Sequence, residues 1–176
     1  TREPDDSEQR LLVASVGGGI RVLDGDGGSI AGFDPEQGGA YRQPVWASDG
    51  SVLAAFTSVA DGHGIDALDP DTGELVWRAP TATPPFYFLP APEGSPEATT
   101  SLRNAADGGG LVAEVIDRSG TVTELAAVSP FYASWAPDGS GLAIHRQGSA
   151  VDVRTGDGTE TIASPTGAFQ APVWTE

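Results

Sequence analysis

One nonapeptide, Phe131-Tyr132-Ala133-Ser134-Trp135-Ala136-Pro137-Asp138-Gly139, recurs through the chain, and its recurrence limits the fold more than any other feature. Arg42-Gln43-Pro44-Val45-Trp46-Ala47-Ser48-Asp49-Gly50 is one copy. Phe86-Tyr87-Phe88-Leu89-Pro90-Ala91-Pro92-Glu93-Gly94 is another, with Pro90 in the tryptophan position. Gln170-Ala171-Pro172-Val173-Trp174-Thr175-Glu176 is the fourth and stops where Asp-Gly would follow. Each copy is a short apolar strand followed by a turn in which Pro presets φ, Asp hydrogen-bonds its own backbone and Gly takes positive φ without penalty. The copies start near 42, 86, 131 and 169, a period close to the roughly 40 to 50 residues of a four-stranded unit.

A second landmark falls between these copies. Ile20 to Gly27, Ile65 to Gly73, Val115 to Gly120 and Val151 to Gly158 each run from a β-rich stretch into a polar turn ending in Gly. Asp-Gly and Ser-Gly between such stretches indicate hairpins, for which primed turns with positive φ are the expected form. The expected fold is therefore all-β: β-propeller blades of four antiparallel strands, either about four blades or part of a larger ring of about six to eight. In such a fold Trp46, Trp135 and Trp174 pack neighbouring repeats together rather than stacking on a ligand. Phe86-Tyr87 and Phe131-Tyr132 enter the inner strands near the axial channel, where core packing is the expected role.

By segment, 1–9 reads as a polar linker and 10–33 as a partial blade with strands near 10–15, 19–24 and 29–33. Full blades follow at 42–79, 85–127 and 131–163, the second of these running through a flexible loop over Ser101 to Gly110 into Leu111 to Val115. Residues 170–176 begin another blade. The last copy stops inside its turn and the chain has no Met, so the expectation is an excerpt whose remaining blades are missing. The alternative is closure by pairing of the strand near Val173 with the strand near Leu12. No helix is expected, and no stretch approaches the roughly 18 apolar residues of a membrane span.

The Pro-x-Trp-(Ala/Ser)-x-Asp-Gly cores, followed by Val52-Leu53-Ala54-Ala55-Phe56 and Leu142-Ala143-Ile144-His145, resemble the TolB-like, WD-like propeller repeat of bacterial exported proteins from about Leu11 onward. The resemblance implies a non-catalytic, extracytoplasmic scaffold (periplasmic, cell-surface or secreted) that binds a protein or small ligand. Such repeats are also similar to those preceding prolyl-oligopeptidase-type domains, so the alternative is the accessory propeller of a larger hydrolase. Ala67 to Trp77 resembles the tryptophan-docking repeat of quinoprotein-type propellers once only, and no calcium-quinone ligand set accompanies it.

Charge narrows the partners. The formal net charge is −16, from 25 acidic residues against 9 Arg. Nucleic-acid affinity rests on clustered cations that neutralise phosphate, so a nucleic-acid partner is not expected; an anionic membrane surface is disfavoured by the same charge. Cys is absent, which removes thiolate ligands and nucleophiles. No Gly-x-Ser-x-Gly elbow occurs, and His63 and His145 stand alone, His63 in a loop and His145 on a strand face with Ala143. Gly17-Gly18-Gly19 and Gly108-Gly109-Gly110 lack the Lys and helix of a phosphate loop and read as strand connectors. Asp24-Gly25-Asp26-Gly27, then Asp69, Asp71 and Glu74, are the nearest approach to a calcium loop, but they lack a third Asp/Asn and a distal Glu, so ordinary Asx turns are expected. The sequence therefore nominates no catalytic, cofactor-binding or metal-ligating residue.

Overall fold

The computed structural model describes residues 9–35, 38–126, 130–146, 150–163 and 174. Fifteen strands and no helix occur among them. The chain divides into two compact units, Thr1–Trp46 with Gly50–Pro84, and Ala47–Asp49 with Pro85–Glu176. The linker assigned to 1–9 and the strand assigned to 170–176 lie outside the described residues, apart from position 9 and Trp174.

The first unit holds two antiparallel meanders. β1 (Arg10–Ala14), β2 (Ile20–Asp24) and β3 (Ser29–Phe33) make a three-stranded sheet, and β4 (Ala40–Trp46), β5 (Val52–Ser58), β6 (Gly62–Leu68) and β7 (Leu75–Pro80) a four-stranded one. The second unit repeats the four-stranded form twice. Its first sheet is β8 (Pro85–Pro90), β9 (Glu97–Asn104), β10 (Leu111–Asp117) and β11 (Val122–Ala126). Its second is β12 (Pro130–Trp135), β13 (Gly141–Arg146), β14 (Ala150–Thr155) and β15 (Gly158–Ala163). His63 belongs to β6 rather than a loop, its carbonyl accepting from Thr81 N at 3.0 Å.

Among the described residues the hairpins do not use primed turns. Gly27 N donates to Asp24 O at 3.0 Å and Asp24 N to Gly28 O at 2.9 Å, with Gly27 at φ 84° and no other residue of that turn at positive φ. This is a type I turn closed by one left-handed glycine, and it recurs at Asp117 to Thr121 with Gly120 at φ 85°. Asp leads these turns because its carboxylate binds the N–H groups that the turn leaves open. Asp24 Oδ1 accepts from Asp26 N at 3.0 Å and Gly28 N at 2.7 Å.

Each unit is held by a core between its sheets. In the first, Ile20, Val22, Ala31 and Phe33 meet Val52, Ala54 and Leu68, with Trp46 and Tyr41 against them. In the second, Leu102, Ala113 and Val115 meet Leu142 and Ile144, with Trp135 alongside. Trp135 also donates its indole N–H to Leu89 O at 3.2 Å, and Trp174 donates to Ser134 O at 2.9 Å. Leu89 and Ser134 precede the tryptophan position in successive copies, so each indole is tied to the same backbone site of the copy before it.

Phe86 and Tyr87 depart from the expected core role: they are 41% and 44% exposed. The register of the leading strands explains this. Pairing shifts between Pro85 and Tyr87, between Arg42 and Val45, and between Pro130 and Ala133. Such bulges re-aim the side chains at the interruption.

The polar strand β9 also runs further than expected, through Asn104, leaving a short turn at 105–110. Its hydroxyls are buried with partners: Thr99 Oγ1 donates to Leu89 O at 2.9 Å and Thr100 Oγ1 to Glu114 O at 2.8 Å.

One register position carries a carboxylate in all three four-stranded sheets. Counting two rungs in from the Val52–Leu68, Thr99–Ile116 and Leu142–Arg154 pairs reaches Asp66, Glu114 and Asp152 on the third strands. An arginine neutralises each one. Arg78 on β7 grips Asp66 through Nε and Nη2, both at 2.9 Å; Arg103 Nε on β9 reaches Glu114 at 2.6 Å; Arg146 Nε on β13 lies 2.7 Å from Asp152. Removing one partner from a buried pair strands the other charge, at a cost of about 3–5 kcal/mol, whereas exposed pairs contribute about 0–1 kcal/mol. Glu114→Ala is therefore expected to cost several kcal/mol in urea unfolding, and Glu124→Ala, whose carboxylate binds the same Arg103 at 2.9 Å from an exposed position, under about 1 kcal/mol. Equal losses would contradict this account.

Candidate functional site

In a meander every second connection emerges at the same end of the sheet, so the second unit gathers four turns at one end: those joining β8 to β9, β10 to β11, β12 to β13 and β14 to β15. Two of them meet backbone to backbone. A side chain on Gly139 would fall 2.6 Å from Ser95 N, and one on Gly94 would fall 3.1 Å from Asp138 O, while both glycines hold positive φ. Glycine is required there by close approach as well as by conformation.

Two adjoining hollows open on this end. One, of about 370 Å³, is walled by Trp135, Leu142, Glu97 and Arg154 and floored by Gly94, Gly139, Gly141 and Gly156. The other, of about 430 Å³, lies between Ser48, Asp49, Glu93 and Arg118 and shares Gly94 and Pro96 with the first. Arg154 Nη1 is held by Glu97 at 2.6 Å. Arg118 spans the second hollow's wall, donating to Asp49 at 3.0 Å, Ser48 Oγ at 3.2 Å and Ser95 O at 3.2 Å.

The turn carboxylates are kept ionised. Asp117 Oδ1 accepts the Ser119 hydroxyl at 2.6 Å and the backbone N–H groups of Ser119 and Thr121 at 2.8 and 2.9 Å. These bonds, the Ser119 hydroxyl foremost, pull its pKa down to about 2. The Ser140 hydroxyl, 2.6 Å from Asp138, lowers that carboxyl as well.

The first unit holds a separate polar cluster. Asp66 is fully buried, gripped by Arg78 and accepting the Tyr41 hydroxyl at 3.0 Å. The Arg78 guanidinium also binds Asp61 and lies 4.3 Å from the centre of the Phe56 ring. A hollow of about 230 Å³ borders Tyr41, Phe56 and Arg78. Burial, then the Asp66 charge and the hydrogen bond to it, push the Tyr41 hydroxyl up to about 12.

The residues weighed in the sequence are dispersed. His63 lies in the first unit, and His145, fully buried, in the second. Asp69 Oδ1 accepts from Asp71 N at 2.8 Å and Thr72 N at 3.0 Å, while Asp71 pairs with Arg10 at 2.8 Å. Among the described residues no three His, Asp or Glu side chains are grouped to hold a metal ion. Gly17-Gly18-Gly19 and Gly108-Gly109-Gly110 turn β1 into β2 and β9 into β10. The arginines that shape the hollows, Arg118 and Arg154, escaped the sequence reading. Arg118 stands in a turn that the hairpin pattern marked, but its partner Asp49 is 69 residues away.

Likeness to solved structures places this architecture. The chain is similar to the C-terminal WD40 domain of Sif2 (12% identity, TM-score 0.57, 83% of this chain and 40% of that one). It is also similar to BBS1N, solved in complex with ARL6DN (16%, 0.55, 89% and 50%), and to the β-propeller domain of Myceliophteria thermophila Cps50 (Swd1) (11%, 0.59, 88% and 52%). The fold is thus that of β-propeller blades, in a chain spanning about half the length of the structures it matches. No protein-family model matches the sequence, and no curated protein matches it.

Two titrations follow. Tyr41 stays protonated in the fold beyond its ordinary pKa of 10.0, so its contribution to stability is complete below about pH 10 and is lost as pH rises through about 12. Ultraviolet titration against Tyr41→Phe is expected to show this phenol ionising near 12; ionisation near 10 would contradict the burial described. Asp117 runs the other way: its contribution is complete above about pH 4 and is lost as pH falls through about 2. NMR titration of its carboxyl is expected to find the depressed value, and Ser119→Ala is expected to raise it.

Proposed function

We propose that this chain is a non-catalytic propeller scaffold that holds a protein or small ligand on the turn-bearing end of its second unit. The observation that carries this reading is the pair of adjoining hollows, whose polar side chains stand on turns or, as Glu97 and Arg154 do, at the strand ends beside them, while the strand interiors are committed to packing. Turns on a rigid sheet are free to vary without cost to the core, which is why recognition concentrates there. The solved complex of BBS1N with ARL6DN is an instance of this fold in a protein assembly.

Export to an extracytoplasmic compartment belongs to the same proposal and is supported by the TolB-like resemblance of the repeat cores, as is the alternative of a propeller accessory to a larger hydrolase. Fractionation of the source cells is expected to find the protein outside the cytoplasm; a purely cytoplasmic pool would remove that part.

Site-specific photo-cross-linking tests the binding face. A cross-linker at Glu93 or Asp138 is expected to trap a specific adduct in extracts of the source organism, and one at Asp107, in the opposite turn of the same sheet, is expected to trap none. Adducts from position 107 alone would overturn the assignment.

A further inference from the structure

The chemistry of the partner can be taken one step further, on the reading that the turn-bearing end of the second unit is the binding face. The two hollows share Gly94 and Pro96, so an occupant of both is elongated. Both cations of this surface are already committed, Arg118 to Asp49 and Arg154 to Glu97. Glu93 has no cationic partner among the described residues and lines the wider hollow, whereas Trp135 lines the narrower one.

We propose that the joined hollows receive an extended, Lys- or Arg-bearing segment of another polypeptide, with one cationic side chain at Glu93 and another against Trp135. An acidic wall attracts such a segment and speeds its arrival. The indole supplies a favourable surface for a cation or for the methylenes that carry it. An acidic segment would meet carboxylates whose counter-ions are taken. A neutral segment would leave Glu93 facing nothing that offsets its loss of water.

Fluorescence anisotropy with short labelled Lys-Gly, Ser-Gly and Glu-Gly repeat peptides tests this. The Lys-Gly peptide is expected to bind, with affinity that falls as salt rises. Glu93→Lys is expected to weaken it about tenfold, as removal of a close charge pair does. Asp107→Lys, an equal charge change at the far end of the sheet, is expected to leave it unaltered, and Trp135→Phe, retaining an aromatic ring, is expected to weaken it less than Glu93→Lys. Equal weakening by the position 93 and 107 variants would overturn the proposal, since the attraction would then belong to the chain's overall charge. Tighter binding of the Ser-Gly or Glu-Gly peptide, still sensitive to position 93, would overturn the basic partner while leaving the binding face intact. Binding of none of the peptides would overturn the basic segment, and the cross-linking pattern would then decide the face independently.

Discussion

Face-to-face burial of one short sheet against the next is the interaction on which the rest of the structure depends. Four strands of five to eight residues cannot cover their own apolar faces, and repeat architectures solve this by stacking like upon like. In the first unit Val22 and Phe33 of one sheet meet Val52 and Leu68 of its neighbour; in the second, Val115 meets Leu142. The tryptophans add direction to this packing. An indole that both fills the interface and donates to a fixed carbonyl of the preceding copy sets the two sheets in register, which apolar contact alone does not do.

The buried ion pairs show the same site filled in different ways. A carboxylate occupies the third-strand position in each four-stranded sheet, but its arginine comes from the fourth strand in one and from the second strand in the other two. Where Arg78 arrives from the fourth strand, Phe56 takes the second-strand place that Arg103 and Arg146 hold elsewhere and lies beneath the guanidinium. In the three-stranded sheet the polarity is reversed: Arg21 stands at the equivalent of Asp66 and pairs with Asp34 at 2.7 Å. Gly32 opposite leaves room for that guanidinium, since a side chain there would lie 3.1 Å from it. Geometry is repeated more faithfully than residue identity.

That division of labour explains why recognition falls to the turns. Asp66 and Glu114 are consumed in neutralising arginines and lie inside the sheets. The turn carboxylates Asp117 and Asp138 are bound to local N–H and hydroxyl groups, which lower their pKa values and hold them charged at the surface. Arg118 then ties turns of different copies together and Arg154 ties the end of one strand to the start of another, making one surface at that end of the unit.

The sequence by itself determined the period, the all-β class and the places of the hairpins, because each depends on local chemistry: Pro, Asp and Gly in a turn constrain φ and hydrogen bonding within a few residues. It also marked Trp46, Trp135 and Trp174 as packing residues, a role set by size and repetition. The turn type escaped it, since Asp-Gly suits both primed turns and a type I turn with one left-handed glycine. The outward aim of Phe86 and Tyr87 escaped it because a bulge changes facing without changing composition. The carboxylate–arginine pairs and the hollows at the turn end were decided only by tertiary structure. Arg154 and Glu97 become neighbours through the stacking of the second unit's sheets, and Arg118 meets Asp49 from 69 residues away; no local pattern records which distant residue a side chain will reach.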